Sequence, residues 1–327
     1  MKGNAVVFID KEKVSFQEVD IPDPSSTDVV IEVEHSWISP GTESSFLRGE
    51  RISGETMWTP EHPWPFPHVS GYQKVGRVIN VGADVEDLQV GDKVFASVSH
   101  VKDLFFEFGG HINPAVTHHS QVWKIPEGED PLAYSGLVLT QVGYNCGIRA
   151  PLNNKDVAVV IGDGLVGQWS AQTLLHRGAD VVVLGRHADK LNLLPTEVQR
   201  INLQKEILSE VLPNYGSVSI IIDTVGSMET VSEILPFMKR EGHWVSAGFL
   251  GNTGIVDIQC LREKEITLHT PSGWTKERMD QTLEGILEGW LKTLPLITHR
   301  FPSQEAAVAW SLILEKREPF LGVILDW

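Results

Sequence analysis

Residues 157–186 read VAVVIGDGLVGQWSAQTLLHRGADVVVLGR, and this stretch decides the fold. A short apolar run, VAVVI, meets Gly162-Asp163-Gly164-Leu165-Val166-Gly167, then a helix-length segment, then a second apolar run, DVVVL. A strand, a glycine-rich turn, a helix and a second strand in that order predict a parallel βαβ unit. Each glycine has a task in such a turn. Gly162 permits the tight bend, Gly164 lets backbone approach a pyrophosphate, and Gly167 lets the helix pack on the strand. The helix start adds unpaired N–H groups and the positive end of its dipole, which suit phosphate, with Leu165 and Val166 in that first turn. A glycine turn without nucleotide is the alternative.

Working outward, apolar runs keep alternating with helix-length segments: SIIIDTVG, METVSEILPFMKRE, HWVSAGF, EITLHT and ERMDQTLEGILEGWLK. The alternation predicts a doubly wound parallel sheet with helices on both faces, over about residues 126–297. Residues 1–125 differ. AVVFID, VSFQEVDI, DVVIEVEHSWI, YQKVGRVINVG and KVFASV are short β-branched runs broken by Gly, Pro, Asp or Ser, so this part is β-rich. After PLITHRF and the helical SQEAAVAWSLILEKRE, a last strand FLGVILDW follows. The 327 residues exceed one ordinary core and suggest two domains of ordinary size.

Composition removes several classes of function. Lys and Arg number 27 against 43 Asp and Glu, a formal charge of −16, and no basic run breaks the balance. A nucleic-acid or anionic-membrane surface is not expected. The 42% apolar and 21% charged content is that of a soluble globular chain, and no stretch has the roughly 18 to 20 apolar residues of a membrane span. MKGNAVVFIDKEKVSF reads as two strands around a charged turn rather than a secretion signal. Cys146 and Cys260 alone build no disulfide framework and no cysteine zinc lobe, so a cytoplasmic setting is expected.

The second strand ends Gly185-Arg186-His187, and no acid is expected at its tip. A carboxylate there would bind the 2′-hydroxyl of NAD, whereas Arg186, with Lys190 a helical turn beyond, offers charge-assisted bonds to the 2′-phosphate of NADP. Gly185 is expected to leave room for the phosphate. NADP(H) is therefore favoured over NAD(H). Asp223 and Thr224 end a central strand at its carboxyl edge, so Thr224, Val225 and, in the next strand's turn, Gly248 are expected to contact the cofactor.

Taken together, DVVIEVEHSWISPGTE, SGYQKVGRVINVGADVEDLQVGDKVF, GGHINPAVTHHSQVWKIPEG, the glycine motif, IIIDTVG and EGHWVSAGF resemble the medium-chain dehydrogenase/reductase, or alcohol dehydrogenase, superfamily over essentially the whole length. HSWISPGTE, GYQ and LITHRFP with GVILDW look most like its bacteriochlorophyllide a dehydrogenase branch, which oxidises a hydroxyethyl group on a chlorin. The resemblance implies a GroES-like catalytic domain at 1–125, completed by about 298–327, a Rossmann domain, and a homodimer or homotetramer. Zinc-using relatives carry Cys where this chain has Ser39, His-Glu where it has Tyr72-Gln73, and a third ligand near Val138. Apolar and neutral groups do not replace such donors, so no metal is expected. Glu61, His62 and His68 form a rival set, but the prolines around them predict an extended, rigid loop.

Without a Lewis acid, a carbonyl taking up hydride needs a hydrogen-bond donor, and Tyr72 is the best placed, acid in reduction and, where its pKa of about 10 is suitably tuned, base in oxidation. Ser39 and Thr42 are expected to support it. Glu43 is expected to be solvated or paired with Arg48. Trp58, Trp64 and Phe66 either line a flat apolar substrate site or fix the loop to its own domain. These residues predict interconversion of a secondary alcohol and a ketone on an apolar small molecule. A reductase of activated C=C bonds and a non-catalytic dinucleotide-binding protein are the alternatives.

Overall fold

Val157–Ile161 sits at the centre of a six-stranded sheet because its run of Val, Ala and Ile is buried on both faces. The order across the sheet is Gln199–Asn202, Asp180–Gly185, Val157–Ile161, Val218–Asp223, Met238–Ser246 and Thr267–His269, all parallel. Alternate residues of these strands feed two cores. Ala158, Val160, Val181, Val183, Ile220 and Ile222 pack under Ala171 and Leu174 of the helix Leu165–His176. Val159, Ile161, Val182, Leu184, Ile221 and Trp244 pack on the opposite face. Strands covered on both sides are apolar throughout rather than alternating, which is why they read as continuous runs. The order reverses on either side of Val157–Ile161, and ligands in such sheets bind outside the carboxyl ends there.

The structure, a computed structural model, describes residues 1–50, 55–251 and 254–327. Two units divide it: residues 1–138 with 293–327, and residues 139–292. In the first, one sheet runs Val122–Lys124, Lys93–Ala96, Lys74–Val81, Asp28–Ile38, Gly322–Asp326 and Ile297–Pro302, with Ala115–His118 also on Asp28–Ile38. The chain end enters it antiparallel, Leu325 opposite Ser36 and Ile324 opposite Trp37. A second sheet joins Lys13–Asp20, Lys2–Asp10, His68–Val69 and Ile112–Asn113.

One sequence expectation is corrected. METVSEILPFMKRE is not one helix: it is helical over Met228–Ile234, makes a 3-10 turn at Leu235–Phe237, and becomes strand from Met238. Pro236 lacks the N–H that would continue the ladder, and its ring obstructs the preceding turn. No helix among the described residues is long and apolar enough to cross a membrane.

Candidate active site and dinucleotide loop

The glycine turn has the shape a pyrophosphate needs. Gly162 lies at φ +115°, and a Cβ there would sit 2.4 Å from Thr224 Oγ1. At Gly167 a Cβ would stand 2.0 Å from the Gly162 carbonyl oxygen, so the helix can approach the strand only as glycine. Gly164, which precedes the helix, has open space where its side chain would be. These are the tight bend, close packing and bare backbone that a dinucleotide phosphate requires, and the residues fit that group. The Thr224 hydroxyl donates to the Ile161 carbonyl at 2.8 Å and so ties the next strand to the turn. Asp223, fully buried, accepts N–H bonds from Val225, Gly226 and Ser227. Val225 is exposed, whereas Gly248 lies against the backbone of Val225 and Gly226.

At the tip of Asp180–Gly185 two expectations are corrected. A carboxylate does stand there, supplied by Asp163 of the glycine turn. Its Oδ2 accepts the backbone N–H groups of Arg186 and His187, each at 2.8 Å, and both carboxylate oxygens lie 3.0–3.1 Å from His187 Nδ1. Nor is the space beside Gly185 open, since a Cβ there would sit 2.6 Å from Asp163 Oδ2. Glycine is required at 185 by the acid, not by a ligand. Arg186 is exposed, and the Lys190 carbonyl accepts from Gln168 Nε2 at 2.8 Å.

In the first unit, Ser39 precedes the short helix Pro40–Leu47, and Tyr72 lies before the strand Lys74–Val81. The structure brings Tyr72, Ser39 and Thr42 together: both hydroxyls hydrogen-bond the phenol. Burial pushes the Tyr72 pKa well above the usual tyrosine value, the Glu43 carboxylate adds to the rise, and the bonds from Ser39 and Thr42 oppose it. A phenol so placed is protonated at neutral pH.

Glu43 is neither solvated nor paired with Arg48. It is 2% exposed, its Oε1 accepts the Ser39 N–H at 2.7 Å, and its Oε2 lies 3.0 Å from Nε2 of the fully buried His111. Arg48 pairs instead with Glu50. His111 Nδ1 reaches Ser36 Oγ at 2.8 Å, and Trp327 Nε1 donates to the same oxygen at 2.8 Å. Sequence reasoning missed His111. Its signal was two glycines, Gly110 before His111 and Gly71 before Tyr72: a Cβ at Gly110 would stand 2.1 Å from the Tyr72 nitrogen, and one at Gly71 2.5 Å from the His111 ring.

The positions where the resemblance puts zinc ligands hold groups that do not fit the metal. Ser39 and Tyr72 are hydroxyls, Val138 is a buried alkyl group, and the Gln73 amide donates to the Trp37 carbonyl at 3.1 Å. The rival set is scattered. His68 is buried, its Nδ1 lies 2.9 Å from the Pro65 carbonyl, and burial pushes its pKa down to about 4, whereas Glu61 and His62 are exposed. Among the described residues no three metal-ligating side chains converge. The proline-rich loop is also not extended: Thr59 and His62 exchange backbone bonds, and Trp64-Pro65 and Phe66-Pro67 are cis. Trp58 donates to Asp10 at 3.1 Å and Phe66 stacks on His68, so both fix the loop to its own unit. Trp64 instead meets Phe46 and Phe105.

Lys74, beside Gln73, is fully buried; its ammonium donates to the Ser97 carbonyl, and burial pushes its pKa down to about 7. The unfolded chain keeps this proton to about pH 10.4, so between those values the unfolded state binds more protons and stability rises with pH. Lys74→Met should flatten that rise and gain a few kcal/mol near pH 6. Urea unfolding at pH 6, 8 and 9.5 reads it, and equal pH slopes in the two proteins would assign the titration elsewhere.

A β-rich unit completed by the chain end and a parallel sheet opening on a glycine-rich turn are the architecture of a GroES-like domain and a dinucleotide-binding domain. The comparisons agree. Residues 25–127 match the alcohol dehydrogenase GroES-like domain. The 2-desacetyl-2-hydroxyethyl bacteriochlorophyllide A dehydrogenase of Cereibacter sphaeroides is 26% identical across 100% of this chain and 99% of its own. D-arabitol-phosphate dehydrogenase of Enterococcus avium is 22% identical across 97% and 96%. A short chain alcohol dehydrogenase from Escherichia coli CFT073, solved with NADH, superposes with a TM-score of 0.85 at 22% identity over 100% of this chain and 99% of its own. A structure described as a zinc-binding dehydrogenase from Sinorhizobium meliloti 1021, bound to NADP, gives 0.83 at 19% identity over 100% of both. Residues 25–127 thus match the alcohol dehydrogenase GroES-like domain, and over its whole length the chain is similar to dehydrogenases, which supports an NAD(P)-dependent oxidoreductase.

Proposed function

We propose that the protein is a zinc-independent, NADP(H)-linked oxidoreductase that interconverts a secondary alcohol and a ketone on an apolar, ring-containing small molecule. The observation that supports this reading is the Tyr72 phenol, hydrogen-bonded by Ser39 and Thr42, at a position where the resemblance puts a metal ligand in zinc-using relatives. The bound nicotinamide supplies or takes up the hydride. Tyr72 donates its proton to the oxygen on which charge develops. Ser39 and Thr42, donating to the phenolic oxygen, offset the cost of leaving charge there beside Glu43. By microscopic reversibility the same tyrosine takes the proton back in the oxidative direction.

Gly162, Gly164, Leu165, Val166 and Gly167 offer backbone to the pyrophosphate, Thr224, Val225 and Gly248 flank it, and Arg186 with Lys190 meets the 2′-phosphate. For the substrate, Phe46, Trp64, Phe105, Phe106 and Phe108 make continuous ring contacts, and Phe105 and Phe108 remain 48% and 50% exposed. Exposed aromatic faces on a folded loop suit a flat apolar ring. A homodimer or homotetramer in the cytoplasm completes the reading.

Purified protein is mixed with NADPH and a panel of aryl ketones, enones and quinones, before and after prolonged chelation. Carbonyl loss unaffected by chelation, with well under one zinc per chain, is the expected result. Alkene saturation would make it a C=C reductase, binding without turnover would leave a dinucleotide-binding protein, and loss of activity with the metal would return zinc to the mechanism.

A further inference from the structure

The acid of the glycine turn is tied to the segment that follows the second strand. Asp163 is 7% exposed, and its Oδ2 takes two backbone N–H groups, those of Arg186 and His187, while the His187 ring lies against both oxygens. A carboxylate with two or three donors at bonding distance has most of its lone pairs committed. It is therefore not available to a ribose diol as a bare acid would be, and its charge is offset by the donors around it. Both N–H groups belong to the backbone that carries the Arg186 side chain, and Gly185 is the residue that admits the carboxylate. The direction in which Arg186 leaves the strand is thus set from the glycine turn, 23 residues earlier.

We infer that Asp163 is a positioning residue for cofactor choice: by fixing the backbone of Arg186 and His187 it aims the Arg186 guanidinium at the 2′-phosphate of NADP(H). This rests on the reading of Arg186 as the phosphate contact. A preference set this way has a signature that general damage to the loop lacks. The pyrophosphate and adenine are common to NADH and NADPH, so only affinity that depends on the 2′-phosphate should move.

The experiment measures dissociation constants for NADPH, NADH, 2′,5′-ADP and 5′-AMP by calorimetry on the intact protein, Asp163→Ala and Asp163→Asn, with thermal melting to verify folding. In the Ala variant NADPH and 2′,5′-ADP should weaken about tenfold, the scale of lost bonds to a charged acceptor, with NADH and 5′-AMP changed less than about threefold. Asn keeps one acceptor oxygen for the backbone N–H groups and should retain most of the preference. Should Ala fail to fold, the Asn variant still decides, since a repelling acid and a positioning acid give opposite signs there. Equal loss for phosphorylated and unphosphorylated ligands would reduce Asp163 to loop maintenance and overturn the inference. Tighter NADPH with weaker NADH in either variant would overturn it too, showing an acid that opposes phosphate. An intact protein with no preference for 2′,5′-ADP over 5′-AMP would instead sink the Arg186 reading itself, and the inference with it; this is seen before any variant is made.

Discussion

Replacing Tyr72 with Phe is expected to lower kcat for ketone reduction by about 10²- to 10⁴-fold, the range over which positioned general acids act. The substitution deletes one hydroxyl and keeps the ring, so packing around the strand Lys74–Val81 is preserved. Two features of the site set the size of the effect. Burial and the nearby Glu43 carboxylate hold the phenol protonated, so the donor is present throughout the neutral range. Ser39 and Thr42 hydrogen-bond the phenol; in the Phe variant they lose that partner and have no ring hydroxyl to direct. NADPH affinity should stay near the original, because the residues assigned to the dinucleotide belong to the other unit. Single-turnover reduction separates the chemical step from binding. A fall of less than about tenfold would be too small for a general acid and would pass the role to water held by Ser39 and Thr42.

What could be read from the chain, and what could not, divides by distance along it. Gly162, Gly164 and Gly167 act within six residues and beside a strand of continuous apolar residues, so the phosphate turn was legible. The pairing of Ser39 with Tyr72 was legible through resemblance, since both fall at positions where relatives hold one metal. Glu43 and His111 are 68 residues apart, and neither has a local pattern that betrays the other. A short helix places Glu43 on its inner face, and only the close approach of Gly71 and Gly110 lets the imidazole reach it. Asp163 misled for the same reason. Along the chain it is a residue between two glycines, and the strand tip Gly185-Arg186-His187 has no acid of its own. In space the parallel pairing of Val157–Ile161 with Asp180–Gly185 brings both strand ends to one edge, and the acid arrives from the neighbour. Lys74, a charged residue in a β-rich run, gave no sign that it would be fully buried.

Arg186→Asp is expected to weaken NADPH by about 10²- to 10³-fold, since it removes charge-assisted bonds to the 2′-phosphate and sets a carboxylate against it. Arg186 is exposed, and the bonds that hold its backbone come from Asp163 to N–H groups, which any residue at 186 retains. The turn should therefore survive the substitution, and melting temperature should move little. NADH has no group for Arg186 to hold and gains an acceptor for its ribose hydroxyls, so its affinity should stay level or improve. The new carboxylate lies on the residue whose N–H binds Asp163, and two acids so close raise each other's cost of ionisation. That repulsion falls on the variant whichever dinucleotide is bound, so it cancels in the ratio of the two affinities. The ratio is therefore the quantity to measure, at fixed salt because phosphate contacts are screened. A ratio left unchanged, with both dinucleotides weakened alike, would show that Arg186 supports the adenosine or the loop and does not read the 2′-phosphate.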